Sequence, residues 1–294
     1  MAVKMDNIRQ RIQSQIPDNI RQLPETLKPK PAHHLDNGAD SIPATLAPTL
    51  VSPVLPTPTL GHDGAVFTIA YATPIAKPPL AVLAAFVNPA TYPSWNPMFP
   101  KVTVNRVPTE PLPPLLAGSS VADAKPADLM LEGAQVTFEV HLGLDPAKPS
   151  ANSHCIITKL EDFNKVITTT AGGEHKGLKG YRVAWKTTGY TPPTFLLRAE
   201  RVHEFLETED GGGTEYRCYE TFYGPLAHIV KLTLVGQLEA AFTAWMDGLK
   251  RFVESGGDVA PPAAAPAAAA GTNGETTAEA APASAAAAAA AAAS

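Results

Sequence analysis

Three residues in the last third of the chain have the types and spacing to do chemistry together: Arg201, His203 and Glu220. Successive side chains on a strand alternate between its two faces. In the segment Leu196–Glu207 the parity Phe195, Leu197, Ala199 runs on through Arg201, His203 and Phe205. In Thr214–Tyr223 the matching face carries Tyr216, Cys218, Glu220 and Phe222. The linker Glu209-Asp210-Gly211-Gly212-Gly213 is a hairpin signal, so these strands should be neighbours. A guanidinium, an imidazole and a carboxylate would then stand on an otherwise apolar face, where charge is costly unless paired. Two readings follow. In one, Arg201 and Glu220 form a structural ion pair, or a bulge slips the parity and the groups face water. In the other they are the polar end of a pocket, with His203 moving protons or donating to a ligand carbonyl while a neighbouring carboxylate fixes its tautomer.

Other candidates follow the same alternation. Along Gly180–Thr188, Tyr181, Val183, Trp185 and Thr187 share a face, and Arg182, Ala184 and Lys186 read as facing solvent, so Tyr181 and Trp185 should point inward. Phe138, Phe205, Cys218, Phe222 and Phe242 complete the candidate apolar wall, with Tyr92, Trp95 and Asn96 at its rim. Trp95 reads either as a core plug or as a ligand contact, and Asn96, before Pro97, as a turn cap. Cys155 and Cys218 lie inside strand patterns and read as free, buried thiols in a reducing compartment. Neither has the electropositive, exposed setting of a thiolate nucleophile. No Gly-x-Ser-x-Gly elbow or phosphate loop occurs, and the histidines show no ligand spacing, so neither metal nor cofactor is expected.

The elements that must position these groups are legible in order. A first strand spans Ala65–Tyr71. Pro78-Pro79 opens a short helix to Val87, Asn88-Pro89 closes it, and a second helical turn runs to about Ser94. Strand patterns follow at Lys101–Val107, Gln135–Leu142, His154–Glu161, Val166–Thr170, Gly180–Thr188, Leu196–Glu207 and Thr214–Tyr223. A Pro-rich excursion at 108–126 interrupts them, read as an insertion or lid. From Pro225 to Glu254 the apolar residues Leu226, Ile229, Val230, Leu234, Leu238, Phe242, Trp245, Leu249 and Val253 return at the helical period, predicting one helix about 40 Å long. The fold class expected is α+β: a curved antiparallel sheet of about seven strands wrapped round one long C-terminal helix, with two short helices after the first strand.

This order, with the motif Tyr92-Pro93-Ser94-Trp95-Asn96-Pro97 and a last hairpin carrying Glu220, Phe222 and Gly224, resembles the START-like, helix-grip superfamily called SRPBCC, in its polyketide cyclase/dehydrase branch. The resemblance covers roughly Ala65–Glu254. It implies a deep apolar pocket between sheet and last helix, in a superfamily of lipid and sterol carriers, hormone and alkaloid binders, and aromatases and cyclases. Fold does not choose among these functions.

Composition sets the remaining bounds. The chain has 294 residues and a formal net charge of -5, so nothing suggests a nucleic-acid footprint. Residues 1–61 read as a disordered Pro-rich arm, 62–255 as the ligand-binding domain and 256–294 as a disordered Ala-rich tail. A short helix through Ile8, Ile12 and Ile16 is conceivable in the arm, but Asp6 and Asp18 argue against a transit peptide. No apolar run is built to insert in a membrane. The expectation is a cytoplasmic monomer that binds or carries a small hydrophobic molecule (lipid, polyketide or isoprenoid-like). The alternative is a cyclase, dehydratase or isomerase acting on an enolisable carbonyl compound, with Arg201 or Tyr181 steadying an enolate-like oxygen.

Overall fold

The computed structural model describes residues 31–108, 111–145, 150–168, 175–189 and 192–257, and from Ala32 on these form one compact unit. The expectations for the first thirty residues and the Ala-rich tail beyond 257 lie outside the described residues.

One sheet organises the domain. Its strands are β1 (His33–His34), β2 (Leu46–Ser52), β3 (Ala65–Ile75), β4 (Lys101–Arg106), β5 (Gln135–Val140), β6 (Ala151–Thr168), β7 (His175–Thr187), β8 (Arg198–Glu207) and β9 (Thr214–Tyr223). They are ordered β1-β2-β3-β9-β8-β7-β6-β5-β4. Every pairing is antiparallel except that of β1 with β2. The helices are α1 (Pro79–Val87), α2 (Tyr92–Trp95), α3 (Pro225–Thr233) and α4 (Val235–Glu254). The expected α+β plan therefore holds: α4 lies against β2 and β3 on the inner side of the sheet, with α1 and α2 packed on it.

Three details correct the sequence reading. Two strands are added by residues expected to be loose, so the sheet has nine strands among the described residues rather than about seven. The segments read as separate strands at 154–161 and 166–170 join, as far as Thr168, in the single long β6. The last helix is broken: Leu234, at φ -126° and ψ -5°, leaves helical geometry and separates α3 from α4.

The stretch 32–61, read as disordered arm, is a strap. β2 pairs with β3, and Leu35, Ile42, Val51 and Leu55 bury themselves against Ala70, Ala72, Ala184, Val202 and Tyr219 on the outer face. Ala184 therefore lies under the strap rather than facing water. Glu200, also on that face and fully buried, ties the strap down. Its carboxylate accepts hydrogen bonds from the Thr59 and Leu60 amides at 3.0 Å and from the Thr59 and Thr158 hydroxyls at 2.9 and 3.0 Å.

The 108–126 excursion is likewise packed where it is described, with Leu116 and Val121 in the main core. Where α3 begins, Gly224 sits at φ +91°, and a Cβ there would fall 2.6 Å from the Leu196 carbonyl, so the junction requires glycine. Pro225 follows as the first helical residue.

Candidate functional site

The strand register brings the chemically capable residues into two adjoining rows on the inner face. Trp185 pairs with Arg201, Arg201 with Glu220 and Glu220 with Ile69. In the next row Val183 pairs with His203, His203 with Cys218 and Cys218 with Tyr71. All these side chains are buried. The parity of Leu197 and Ala199 therefore persists to Phe205 without a slip, because β8 pairs with β9 with no bulge from Arg198 to Glu207, whereas Phe195, read on the same face, lies before the strand begins and is exposed.

Two polar assemblies result. Arg201 donates from Nε and Nη2 to Glu220 Oε2, at 3.2 and 2.8 Å. Its guanidinium sits 4.4 Å from the Phe242 ring centroid, with Phe99, Trp185 and Trp245 about it at 5.7, 6.0 and 5.6 Å. Beside it His203 Nδ1 and the Tyr216 hydroxyl are 2.8 Å apart, and Trp245 Nε1 on α4 donates to the same hydroxyl oxygen at 2.9 Å. Thus α4 is joined to the sheet by a Trp–Tyr–His chain inside an apolar interior.

Burial sets the electrostatics. Desolvation, followed by the charge on Arg201, holds the His203 imidazole far below its ordinary pKa, so it is neutral at physiological pH. Burial pushes the Glu220 carboxyl up to about 7 against the pull of Arg201. Desolvation is the largest single influence on Arg201 and works against its charge, but Glu220 together with Tyr71 and Cys218 outweighs it and the guanidinium stays protonated. Burial also pushes the Cys218 thiol up to about 12, which removes it as a nucleophile. Both cysteines are buried thiols outside any disulfide, as their strand positions implied.

Among the described residues, the hollow expected between sheet and helix is closed by side chains. Phe86, Trp95, Phe99, Phe138, Trp185, Phe205, Tyr216, Phe242 and Trp245 are all at most 1% exposed and fill it ring against ring. The physical reason is α1, which drives Phe86 into the middle. The Phe86 ring stacks on Trp185 at 5.5 Å, leans on His203 at 4.5 Å and meets Phe205 and Trp245 edge-on at 5.1 and 5.8 Å. Open clefts flank α1 instead. One of about 540 Å³ lies between Pro78–Leu80 and Asp162, Lys179, Tyr181 and Glu207. Another, of about 500 Å³, separates Leu80, Ala81, Ala84 and Ala85 from Ser119, Ser120, Phe252 and Val253.

The remaining candidates fall into place around this interior. Tyr92 is buried with its hydroxyl donating to the Phe86 carbonyl at 2.9 Å, and so braces α1. Trp95 donates to Thr91 and packs on Trp245 at 5.2 Å, which is the plug reading. Asn96 caps the turn, its Oδ1 accepting from the Met98 and Phe99 amides. Phe138 lies 5.2 Å from Trp185, and Phe222 stacks on Phe67 at 4.5 Å, one strand pair away. Tyr181 is the exception: it is only half-buried and lines the 540 Å³ cleft, apart from Arg201 and His203. Phe86, Tyr216 and Trp245 were not among the candidates. Tyr216 shared the parity of Glu220, and Trp245 the apolar stripe of the last helix. Nothing local marks Phe86, whose position depends on how α1 docks.

One sheet, antiparallel except at its β1 edge, gripping a C-terminal helix, with two short helices after the first long strand, defines a START-like, helix-grip fold. No protein-family model matches the chain. Over 208 residues it is 26% identical to oxopyrrolidines biosynthesis cluster protein O of Penicillium oxalicum, covering 68% of this chain and 93% of that protein. Among solved structures it is similar to a hypothetical protein from Helicobacter pylori (TM-score 0.43, 9% identity, 63% of this chain and 86% of that one). It is also similar to a START superfamily protein from Mycobacterium smegmatis (0.36, 8%, 62% and 98%) and an aromatase/cyclase from Streptomyces sp. R1128 (0.37, 12%, 64% and 93%). These are partial likenesses, and the fold assignment rests on the element order.

Proposed function

We propose that this domain binds a small, largely apolar molecule in the interior between the sheet and α4, entering where α1 closes it. The observation that carries the reading is the polar pair of assemblies, Arg201–Glu220 and His203–Tyr216–Trp245, set wholly inside an aromatic interior. A fold that needed only a core would be served as well by apolar residues, since a buried ion pair replaced by hydrophobes is often neutral or stabilising. Clefts on both sides of α1 support its role as the element that moves. Burial of ligand surface at about 25 cal/mol per Å² would supply the affinity, and the polar groups the orientation. Native mass spectrometry of the chain purified from its own cells tests this. A retained small molecule, lost when Arg201 and Glu220 are both made apolar, is the expected result. A chain that carries nothing and binds no hydrophobic ligand overturns the proposal.

A second reading, an enzyme moving protons at a carbonyl compound, is favoured by one observation: His203 is neutral and its Nε2 has no hydrogen-bond partner among the described residues. The relative named for a biosynthesis cluster accords with either reading. Turnover reduced about 10²-fold or more by His203→Phe, with binding intact, would establish the enzyme.

A further inference from the structure

Among the described residues three large apolar side chains stand in the open: Phe195 is 70% exposed, Ile229 49% and Leu232 57%. They fall at one end of the sheet. Ile229 and Leu232 are one turn apart on α3 and share its outward side. Phe195 precedes β8 at the head of the same helix. There the Leu226 amide donates to the Leu196 carbonyl at 3.0 Å, and a Cβ on Gly224 would meet the Phe195 carbonyl oxygen at 3.3 Å.

The rest of α3 makes this exposure unusual. Its inward side already buries Ala227 and Val230 in the main core, so the helix is apolar on both sides. A helix that is apolar all round is ordinarily buried all round. The outward stripe also stops at the Leu234 break, after which α4 exposes Gly236, Gln237 and Ala240. The apolar surface is therefore a patch confined to α3 and the residues before β8.

Area and charge choose its occupant. Together the three side chains expose about 300 Å², from the usual size of such groups. A stable dimer buries roughly 800 Å² a side, so a second copy of the chain is poorly served. A bilayer asks less, because a few apolar side chains at the headgroup boundary are helped by attraction between basic residues and anionic lipid. The charges fit that partner. Residues 192–198 and 225–233 contain no Asp or Glu and carry Arg198, His228 and Lys231, in a chain whose formal net charge is -5. Asp63 is the acid at the border, next to Gly64, whose carbonyl accepts from the Gly224 amide at 3.3 Å.

We propose that α3 and Phe195 form a docking surface for an anionic lipid bilayer. Phe195, Ile229 and Leu232 enter the headgroup boundary, and Lys231, with Arg198 at the edge, meets the lipid charge. No described helix is long and apolar enough to cross a membrane, so the contact is peripheral. The patch lies at the end of β8 opposite Glu207, which lines the 540 Å³ cleft beside α1. The proposal does not depend on whether the interior takes a ligand.

Sedimentation of the full chain with lipid vesicles tests it. Phosphatidylcholine vesicles containing about 30% phosphatidylserine should bind at least about fivefold more tightly than phosphatidylcholine alone, and less tightly as salt is raised. Lys231→Gln should weaken that binding about fivefold, the effect of one basic residue at the surface. Phe195→Ser, Ile229→Ser and Leu232→Ser together should weaken it about 100-fold. The thermal midpoint of the free chain should stay unchanged, because all three side chains already face water. Phe195→Trp gives a reading that does not depend on the triple variant. Trp95, Trp185 and Trp245 are buried, so shallowly brominated lipid should quench the added indole selectively. Failure of the wild-type chain to sediment with anionic vesicles overturns the proposal. So does binding that survives the triple substitution or leaves the indole at 195 unquenched, since the contact then lies elsewhere. Self-association lost in the triple variant, without vesicle binding, would make the occupant a second copy and overturn it as well.

Discussion

At the scale of single residues, Glu220 and His203 perturb stability in opposite directions across the same pH range. Burial raises Glu220 from 4.5 to about 7, so its favourable contribution is complete below pH 4.5 and is lost as pH rises through 7. Burial depresses His203 below 6.5, so its contribution is complete above pH 6.5 and is lost as pH falls. Between about pH 4.5 and 6.5 the folded chain holds a proton on Glu220 that the unfolded chain releases, while the unfolded chain holds one on His203. The two slopes oppose each other, each roughly 1 kcal/mol per pH unit at full effect. Urea denaturation of His203→Leu should therefore show stability falling as pH rises through this window, and Glu220→Gln should show it rising. Parallel pH curves for the two variants would refute the burial assigned to these groups. Arg201 adds a second expectation. Arg201→Met alone should cost about 3–5 kcal/mol by stranding Glu220, whereas Arg201→Met with Glu220→Leu should return close to wild-type stability. All of these residues were legible from strand parity, because β8 and β9 pair without a bulge. Tyr181 shares the parity of Trp185 but lies at the rim, in the cleft beside Pro78–Leu80, and period-two alternation gives a face without giving depth.

At the scale of elements, the short helices and α4 are held together by one close approach. A Cβ added to Gly248 on α4 would lie 2.1 Å from the Trp95 carbonyl oxygen of α2, a backbone atom with little room to yield. Gly236, two residues into α4, has nothing within 4 Å of the same addition and is exposed. The same substitution should then act with opposite signs on one helix. Gly248→Ala should destabilise by about 1–3 kcal/mol through overpacking, and Gly236→Ala should stabilise by up to about 1 kcal/mol through helix propensity. Thermal denaturation of both variants checks this, and equal shifts would mean that α2 does not seat on α4 as described. The break at Leu234 was not legible, since the apolar spacing from Leu226 to Leu249 runs through it without interruption. What separates α3 from α4 is where each helix docks. Periodicity reports which face is buried and is silent on whether two buried faces belong to one straight axis.

At the scale of the whole molecule, the sheet, the gripped helix and the short helices between β3 and β4 were readable in order, and the strap was not. Its prolines argue for extended, solvated chain, yet extended chain is also what an edge strand needs. Pro48 sits in β2 where the register with β3 shifts, the kind of edge irregularity at which a missing amide donor does no harm. The overlooked signal was the apolar content among those prolines, Leu46, Leu50, Val51 and Leu55, which a solvated arm has no use for. The energetics make the strap part of the fold. Burying Leu35, Ile42, Val51 and Leu55 at about 1.5–3 kcal/mol each contributes on the order of 6–12 kcal/mol, comparable to the whole stability of an ordinary domain. Removing it also uncovers Ala70, Ala72, Ala184 and Val202 and strips the fully buried Glu200 of its Thr59 and Leu60 donors. A chain beginning at Ala32 should keep a cooperative thermal transition and its near-ultraviolet circular dichroism. One beginning at His62 should lose both and bind a hydrophobic dye, because the inner aromatic face cannot hold its register once the outer face is bare. If the shorter chain instead melted cooperatively within a few degrees of the longer one, the inner face would be self-sufficient and the strap no part of what keeps the interior closed.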